Sequence, residues 1–512
     1  MAQNRRCTLS ANVRSNVTNQ ICHQGTVPDY YIEARSAEDI QLGLRFAREH
    51  KIPVTIKNTG HDYKGRSTGP NTLAIWTKNM VPDLDINENF TPEGCDASVG
   101  PAVTYGAGQT TRDMYQKLDG TGYMAVGGSC TTVGVAGGWL AGGGHSILTP
   151  TFGLGVDNAL QIRVVLPNGT YTTASRCQNQ DLFFALRGGG GGTYGVVTEV
   201  TSKLHKDRQF TYAFLSMTVP DLRKINEIMV ANAERWADDG WGGLYGVDDN
   251  NGSVFLAFNP TLSLEESKES LKGLTDYFES VQTDAAPFTA KIITLANHWE
   301  AQNQAELLSF LGSEAGISLT RSSRLVPRDN FQTPEGQKAI VDVLVAKGWA
   351  SVLGTPTAFE LPASDLPGGP GESALTAAWR NALWHFTYTS VWDQADPAAV
   401  EPKVLSTMFT QISKDMDPMR AITPGAGAYA SEGDVYEPDH IRSFWGQKNY
   451  DRLLKIKREL DPDNLLSCFT CVGYEEDNER HRCYLPVRSE TPDLTSTVVD
   501  DFMHNLVENI DC

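Results

Sequence analysis

Apolar and polar positions fall into two styles along the chain. Near the start, Tyr30-Tyr31-Ile32 is strand-like, and Ser36 with Asp39 three residues on reads as the capped start of a helix over 37–50. Pro53-Val54-Thr55-Ile56 is a β-branched run that predicts a strand feeding straight into a glycine-rich loop. Further strands are predicted over 73–76 and 97–106, a short helix over 110–118, and a small-residue helix over 133–140. Segments 161–166 and 171–174 flank Pro167-Asn168-Gly169, a hairpin signal. A helical turn over 181–186 then leads through a glycine run to a strand over 196–204.

Past about residue 206 the style changes. Helical periodicity runs over 223–237 and 265–281, and strand signals at 244–247 and 254–258 flank Asp248-Asp249-Asn250-Asn251-Gly252. Strands are predicted over 287–293 and 383–392, a helix over 398–414, and a rim loop over 366–372. Strands and helices in separate runs argue for an antiparallel sheet covered by helices, so the predicted class is α+β. An amphipathic helix over 450–460 is stopped by Asp461-Pro462.

A chain of 512 residues exceeds one ordinary core and predicts two domains. No apolar run is long enough to span a bilayer, so no membrane partner is expected. A net charge of −19 disfavours nucleic acid and anionic membrane surfaces. The expected partner is a small molecule, and a monomer is the default.

Chemistry enters at two glycine-wrapped reactive side chains. His61 sits in N-T-G-H-D-Y-K-G-R-S, and Cys130 in G-G-S-C-T-T-V-G-V-A-G-G-W-L-A-G-G-G-H. Glycine lets backbone N–H groups approach a ligand unobstructed, and successive N–H groups make a nest for phosphate. Outside such settings, a histidine after glycine reads as a loop residue and a cysteine among glycines as small core filler. An imidazole in one nest and a thiol in another point to a large phosphate-bearing cofactor gripped at both ends. The later G-x-G-x-x-G from Gly190 to Gly195 precedes a strand instead of following one and opening a helix, so it is no nicotinamide fingerprint.

On these two motifs the chain resembles the berberine bridge enzyme-like flavoproteins of the vanillyl alcohol oxidase and p-cresol methylhydroxylase superfamily, fungal branch, over roughly residues 20 to 475. The resemblance implies a two-domain FAD-binding fold: 1–205 and a returning 425–475 binding FAD, 206–424 binding substrate, and 476–512 an extension beyond the usual end. It implies FAD held bicovalently through His61 and Cys130. The implied cofactor site also includes Asn58, Thr59, Gly60, Asp62, Tyr63, Gly65, Arg66 and Ser67 from the first motif. Gly127, Gly128, Val133, Gly134, Gly137, Gly138, Gly143 and His145 come from the second, and Gly153, Asp157, Gly195 and Val196 follow.

The same resemblance suggests three candidates for the proton-accepting group. His385 matches a position often held by a catalytic Glu in plant relatives, and alternation puts it on one strand face with Leu383 and Thr387. Glu432 falls where plant relatives place a catalytic Tyr, in an A-Y-x-N-E strand where Ser431 replaces Asn. Tyr429 stands third. Arg324 and Arg328 read as structural. In relatives, a valine at Val133 leaves room for O2, which implies oxidase chemistry with H2O2 release on an alcohol or secondary metabolite. Oligosaccharide oxidation, a flavoprotein cyclase and a non-enzymatic flavin store are the competing readings.

Cysteine parity bears on location. Nine cysteines are present; with Cys130 committed to flavin, Cys7, Cys22, Cys95, Cys177, Cys468, Cys471, Cys483 and Cys512 remain, an even set suited to disulfides and secretion. Met1 to Ser10 lacks the apolar core of a signal peptide, so the expectation is a secreted protein whose signal is absent from this chain. Cys7 and Cys22 resemble the N-terminal disulfide of secreted relatives. Cys468-Phe-Thr-Cys471 follows a helix and turn, which disfavours a redox role, and no metal is predicted. Sequons at Asn16, Asn89, Asn168 and Asn251 carry little weight.

Overall fold

The helix after Ser36 begins where its cap dictates. Ser36 accepts from the Asp39 backbone while the Asp39 carboxylate accepts from Ser36, and Ala37–Glu49 follows. Its buried stripe of Ile40, Leu44 and Ala47 packs on a three-stranded parallel sheet in the order Tyr30–Glu33, Leu73–Trp76, Val54–Lys57. The computed structural model describes residues 27–248, 250–314, 318–392, 402–476, 478 and 481. Cys7, Cys22, Cys483, Cys512, Asn16 and most of the extension from 476 lie outside the described residues.

Beside the parallel sheet stands a five-stranded antiparallel one, in the order Asp85–Asn87, Ala102–Gly106, Val196–Lys203, Ala159–Val165, Tyr171–Ser175. One core joins both sheets, and Ala428, Phe444, Trp445, Tyr450, Leu453 and Ile456 belong to it. The late segment is pinned there by polar bonds as well. Trp445 Nε1 donates to Gly188 O at 3.0 Å. Buried Lys457, on helix Gln447–Leu460, donates to Thr193 O at 3.0 Å, Leu466 O at 2.9 Å and the Asp461 carboxylate at 2.6 Å.

The second body is a seven-stranded antiparallel sheet, in the order Thr289–Leu295, Phe210–Thr218, Gly252–Asn259, Gly242–Val247, Trp349–Leu353, Ala382–Trp392, Ser318–Pro327. Period-two alternation decides what each face meets. Ala213, Leu215, Phe255 and Ala257 face a core shared with helices Leu222–Asp238, Leu264–Val281 and Pro334–Leu344. Phe210, Tyr212, Leu256 and Phe258 face the other way and join Met124, Val126, Ile147, Leu148 and Phe152 of the first body. Each such aliphatic or aromatic side chain, once buried, stabilises the joint by about 1.5–3 kcal/mol. The two bodies approach to backbone contact here, since a Cβ on Gly242 would lie 1.8 Å from Ile147 O.

The sequence reading needs several corrections. The predicted helix over 133–140 is a turn followed by helix Gly138–Gly142, because Gly134, Gly137 and Gly138 each cost a helix interior about 1 kcal/mol of backbone entropy. Of 97–106, only Ala102–Gly106 is strand. The predicted strand around Glu432 is a turn, closed by Glu432 N donating to Tyr429 O at 3.1 Å. Strands Phe210–Thr218, Ser318–Pro327 and Trp349–Leu353 and helices Ala305–Glu314 and Pro334–Leu344 were not anticipated. The helix expected over 398–414 is Pro402–Asp415, its first four predicted positions lying outside the described residues. Disulfides join Cys95 to Cys177 and Cys468 to Cys471.

Candidate active site

A cavity of about 950 Å³ opens between the two bodies. Its floor comes from the loop after Val54–Lys57, from the glycine-rich stretch 128–147 and from the glycine run 189–192; its roof comes from the seven-stranded sheet. The volume is at the upper end for ligand sites, enough for a dinucleotide with substrate space beyond.

His61 and Cys130 meet across one residue. His61 Nε2 lies 2.7 Å from Thr132 Oγ1, and Cys130 Sγ lies 3.7 Å from the same hydroxyl. Cys130 is the free cysteine among the described residues. Desolvation by the surrounding walls pushes the His61 imidazole below its ordinary pKa, which favours the neutral form with a lone pair. Behind His61 the loop is braced by Asp62, whose carboxylate accepts from the Arg66 backbone at 2.6 Å and from Arg66 Nε at 2.9 Å. Burial pushes the Asp62 carboxyl up, but the charge and hydrogen bonds of Arg66, with the Lys64 charge, together outweigh it, and the net shift is downward. Buried Lys64 donates to Ala430 O at 2.9 Å. Burial first, and the Arg66 charge second, bring Lys64 down to about 7.

The implied cofactor residues divide by place. Asn58, Thr59, Gly60, His61, Asp62, Tyr63, Arg66, Ser67, Gly128, Cys130, Val133, Gly134, Gly137, Gly138, His145 and Gly195 all line the cavity. Gly65, Gly127, Gly143, Gly153, Asp157 and Val196 are not on its wall. Asp157 instead takes a two-pronged pair with Arg380 at 2.7 and 2.6 Å and caps the backbone of Leu154. Val196 is a buried strand residue paired with Val165.

The three candidates for proton acceptance cluster, with unequal access. Glu432 and Tyr429 line the cavity; His385 does not. His385 is fully buried with both ring nitrogens lacking a hydrogen-bond partner, and burial brings its pKa down to about 3. Burial, then the Glu432 charge, pushes the Tyr429 phenol up. Burial also raises the Glu432 carboxyl, but the charge and hydrogen bond of His145, with His385 and Arg321, hold it well below the usual carboxylate range. His145 Nε2 lies 2.7 Å from Glu432 Oε1, and Arg321 NH1 donates to Oε2 at 3.2 Å. Glu432 comes from a turn of the returning segment, whereas His385 stands on the seven-stranded sheet.

Arg321 and Thr132 went unread in the sequence. Arg321 sits in the strand Ser318–Pro327, donates from Nε to Thr389 Oγ1 across to the next strand at 3.0 Å, and lies over the Tyr63 ring. Its signal was the alternation of Leu319, Arg321 and Ser323. Arg324 bonds to Thr423, and Arg328 pairs with Glu234 and Asp238.

Residues 28–175 match the FAD binding domain family, and residues 428–468 match the berberine and berberine-like family. An FAD-linked oxidoreductase of Pyricularia oryzae is 31% identical over 461 residues, an alignment covering 89% of this chain and 75% of that protein. The chain belongs to the berberine bridge enzyme-like FAD-linked oxidoreductases. This oxidoreductase is similar in fold to a VAO-type flavoprotein of Myceliophthora thermophila, at 28% identity and a TM-score of 0.76, covering 89% of this chain and 82% of that one. It also shares the fold of the glucooligosaccharide oxidase of Acremonium strictum, at 19% identity and a TM-score of 0.67, covering 87% and 92%. That oxidase carries a 6-S-cysteinyl, 8α-N1-histidyl FAD.

The oxidoreductase's own residues fit FAD. The buried Asn58 Oδ1 on the cavity wall has no hydrogen-bond partner. A Cβ on Gly134 would lie 1.7 Å from that oxygen, so only glycine lets the two loops close into one floor. Among the described residues, no helix is long and apolar enough to cross a membrane.

Proposed function

We propose that this oxidoreductase is an oxidase that holds FAD through both His61 and Cys130 and oxidises a hydroxyl-bearing small molecule, an alcohol or secondary metabolite. The observation that carries the reading is the convergence of the imidazole and the thiol on Thr132 at one end of the cavity. FAD, when bound, accepts a hydride from the substrate carbon and hands two electrons to O2, giving H2O2. Val133 on the wall supports access for O2, as the family resemblance implies. His61 and Cys130 anchor the cofactor, Arg66 and Asp62 keep the His61 loop in shape, and the cluster around Glu432 faces the substrate space.

Acid precipitation with intact mass and visible spectroscopy tests the attachment. Flavin stays with the denatured wild type, His61→Ala and Cys130→Ala, and leaves only the double variant. A colourless wild-type precipitate with free FAD in solution ends the two-tether reading. Flavin reduced by substrate under nitrogen and not reoxidised on admitting air would sink the oxidase half.

A further inference from the structure

Four side chains from separate stretches meet at the substrate end of the cavity: His145, Glu432, Arg321 and His385. Their side-chain exposure is graded, at 22% for His145, 11% for Glu432, 9% for Arg321 and 0% for His385. The imidazole of His145 therefore presents the most surface to the cavity, and the others stand behind it. An ionised carboxylate only accepts hydrogen bonds. A neutral His145 thus carries its proton on Nε2, donates it to Glu432 Oε1 at 2.7 Å, and keeps the lone pair on Nδ1. Glu432 is held in turn by Arg321 NH1 at 3.2 Å. The backbone of His145 is fixed by Trp139 Nε1, which donates to His145 O at 3.1 Å.

We propose that His145 is the base that takes the substrate hydroxyl proton, with Glu432 and Arg321 as positioning residues that set its tautomer and orientation. The proposal rests on the oxidase reading above. In the step, the substrate O–H bond breaks and its proton passes to His145 Nδ1. The C–H bond on the same carbon would break with its hydrogen and both electrons leaving together as hydride to bound FAD, and the carbon–oxygen bond would become double.

The neighbours are poorer acceptors. Glu432 has little proton affinity with His145 and Arg321 beside it. His385 is shut off from the cavity, and Tyr429 would have to ionise next to a carboxylate. The groups that face His145 are Glu432 and Tyr429 from the returning segment and His385 from Ala382–Trp392, with Arg321 of Ser318–Pro327 beyond Glu432. Glu432 is the anion among them. Its hydrogen bond to Nε2 decides which ring nitrogen keeps the lone pair.

The test is nitrogen NMR of the histidine rings in the flavin-loaded protein, which reads the tautomer. The His145 signal is identified by its absence in His145→Gln. The wild type is expected to show the proton on Nε2 and the lone pair on Nδ1, and Glu432→Leu to lose that preference. In parallel, a panel of aliphatic and benzylic primary alcohols is scored by anaerobic flavin reduction. His145→Gln is expected to slow reduction by about 10²–10⁴-fold per bound flavin. Added imidazole partly restores His145→Ala. A tautomer unchanged in Glu432→Leu overturns the positioning role. A His145→Gln enzyme that keeps the wild-type rate overturns the base. If no alcohol reduces the wild type, the oxidase reading fails on its own account, while the NMR arm still decides whether Glu432 holds His145.

Discussion

At the scale of single residues, the cavity floor depends on close approach. The Asn58 amide nitrogen donates to Thr77 Oγ1 at 3.0 Å and to Ala107 O at 2.5 Å, so its oxygen cannot swing away from Gly134. Gly134→Ala therefore forces a backbone shift, and overpacking of this kind costs about 1–3 kcal/mol. The expected outcome is a lower melting temperature together with reduced FAD content; an unchanged pair of values would mean the loop yields freely. The two loops that carry His61 and Cys130 to the cavity were legible in the sequence because glycine marked both. Arg321 and His145 as a working pair were not. One lies in a polar strand and the other at the end of a glycine run, and only their shared bond to Glu432, far along the chain, unites them.

At the scale of elements, legibility followed turn chemistry. The hairpin around Asp248 to Gly252 was readable because Asp248 accepts from the backbone of Asn250 and Gly252, a local bond that the sequence spells out. The strand Ser318–Pro327 was not. It buries Arg321, Ser323 and Arg324, polar residues satisfied by partners that no local pattern reveals. Helix Gln447–Leu460 was visible as an amphipathic stripe, but its buried Lys457 was not. Lys457→Met leaves the Asp461 carboxylate buried without its cation, and breaking such a pair costs about 3–5 kcal/mol. Urea unfolding is the check: the midpoint drops sharply if Lys457 anchors the helix to Thr193, and barely moves if solvent compensates.

At the scale of the whole molecule, buried histidines set a pH dependence. Burial is the first cause that brings His205, His298 and His385 each down to about 3. The unfolded chain binds these protons near the ordinary value of 6.5, before the folded chain does. Their contribution to stability is therefore complete above that value and is lost as pH falls from it towards 3. His298 packs edge-on against Tyr115 and close to Phe210, a setting that accepts an aromatic ring. His298→Phe is expected to shrink the fall in melting temperature between pH 7 and pH 5, where carboxylates stay ionised. An equal fall in variant and wild type would place the sensitivity elsewhere. The change of pattern near residue 206 precedes the first strand of the seven-stranded sheet, Phe210–Thr218, whereas the joint through Gly242 and Ile147 required the fold itself.

The returning segment also sets a timetable for biosynthesis. Lys64 bonds to Ala430, 366 positions away, and Thr193 to Lys457, 264 positions away. A ribosome adding about 5–20 residues per second exposes His61 and Cys130 tens of seconds before those partners emerge. Through that interval the glycine loops have no lid and part of their core is missing. The nascent chain is thus obliged to keep a thiol and a half-formed nest unpartnered until translation ends, and a chain stopped before residue 425 could not finish the wall that Glu432 completes.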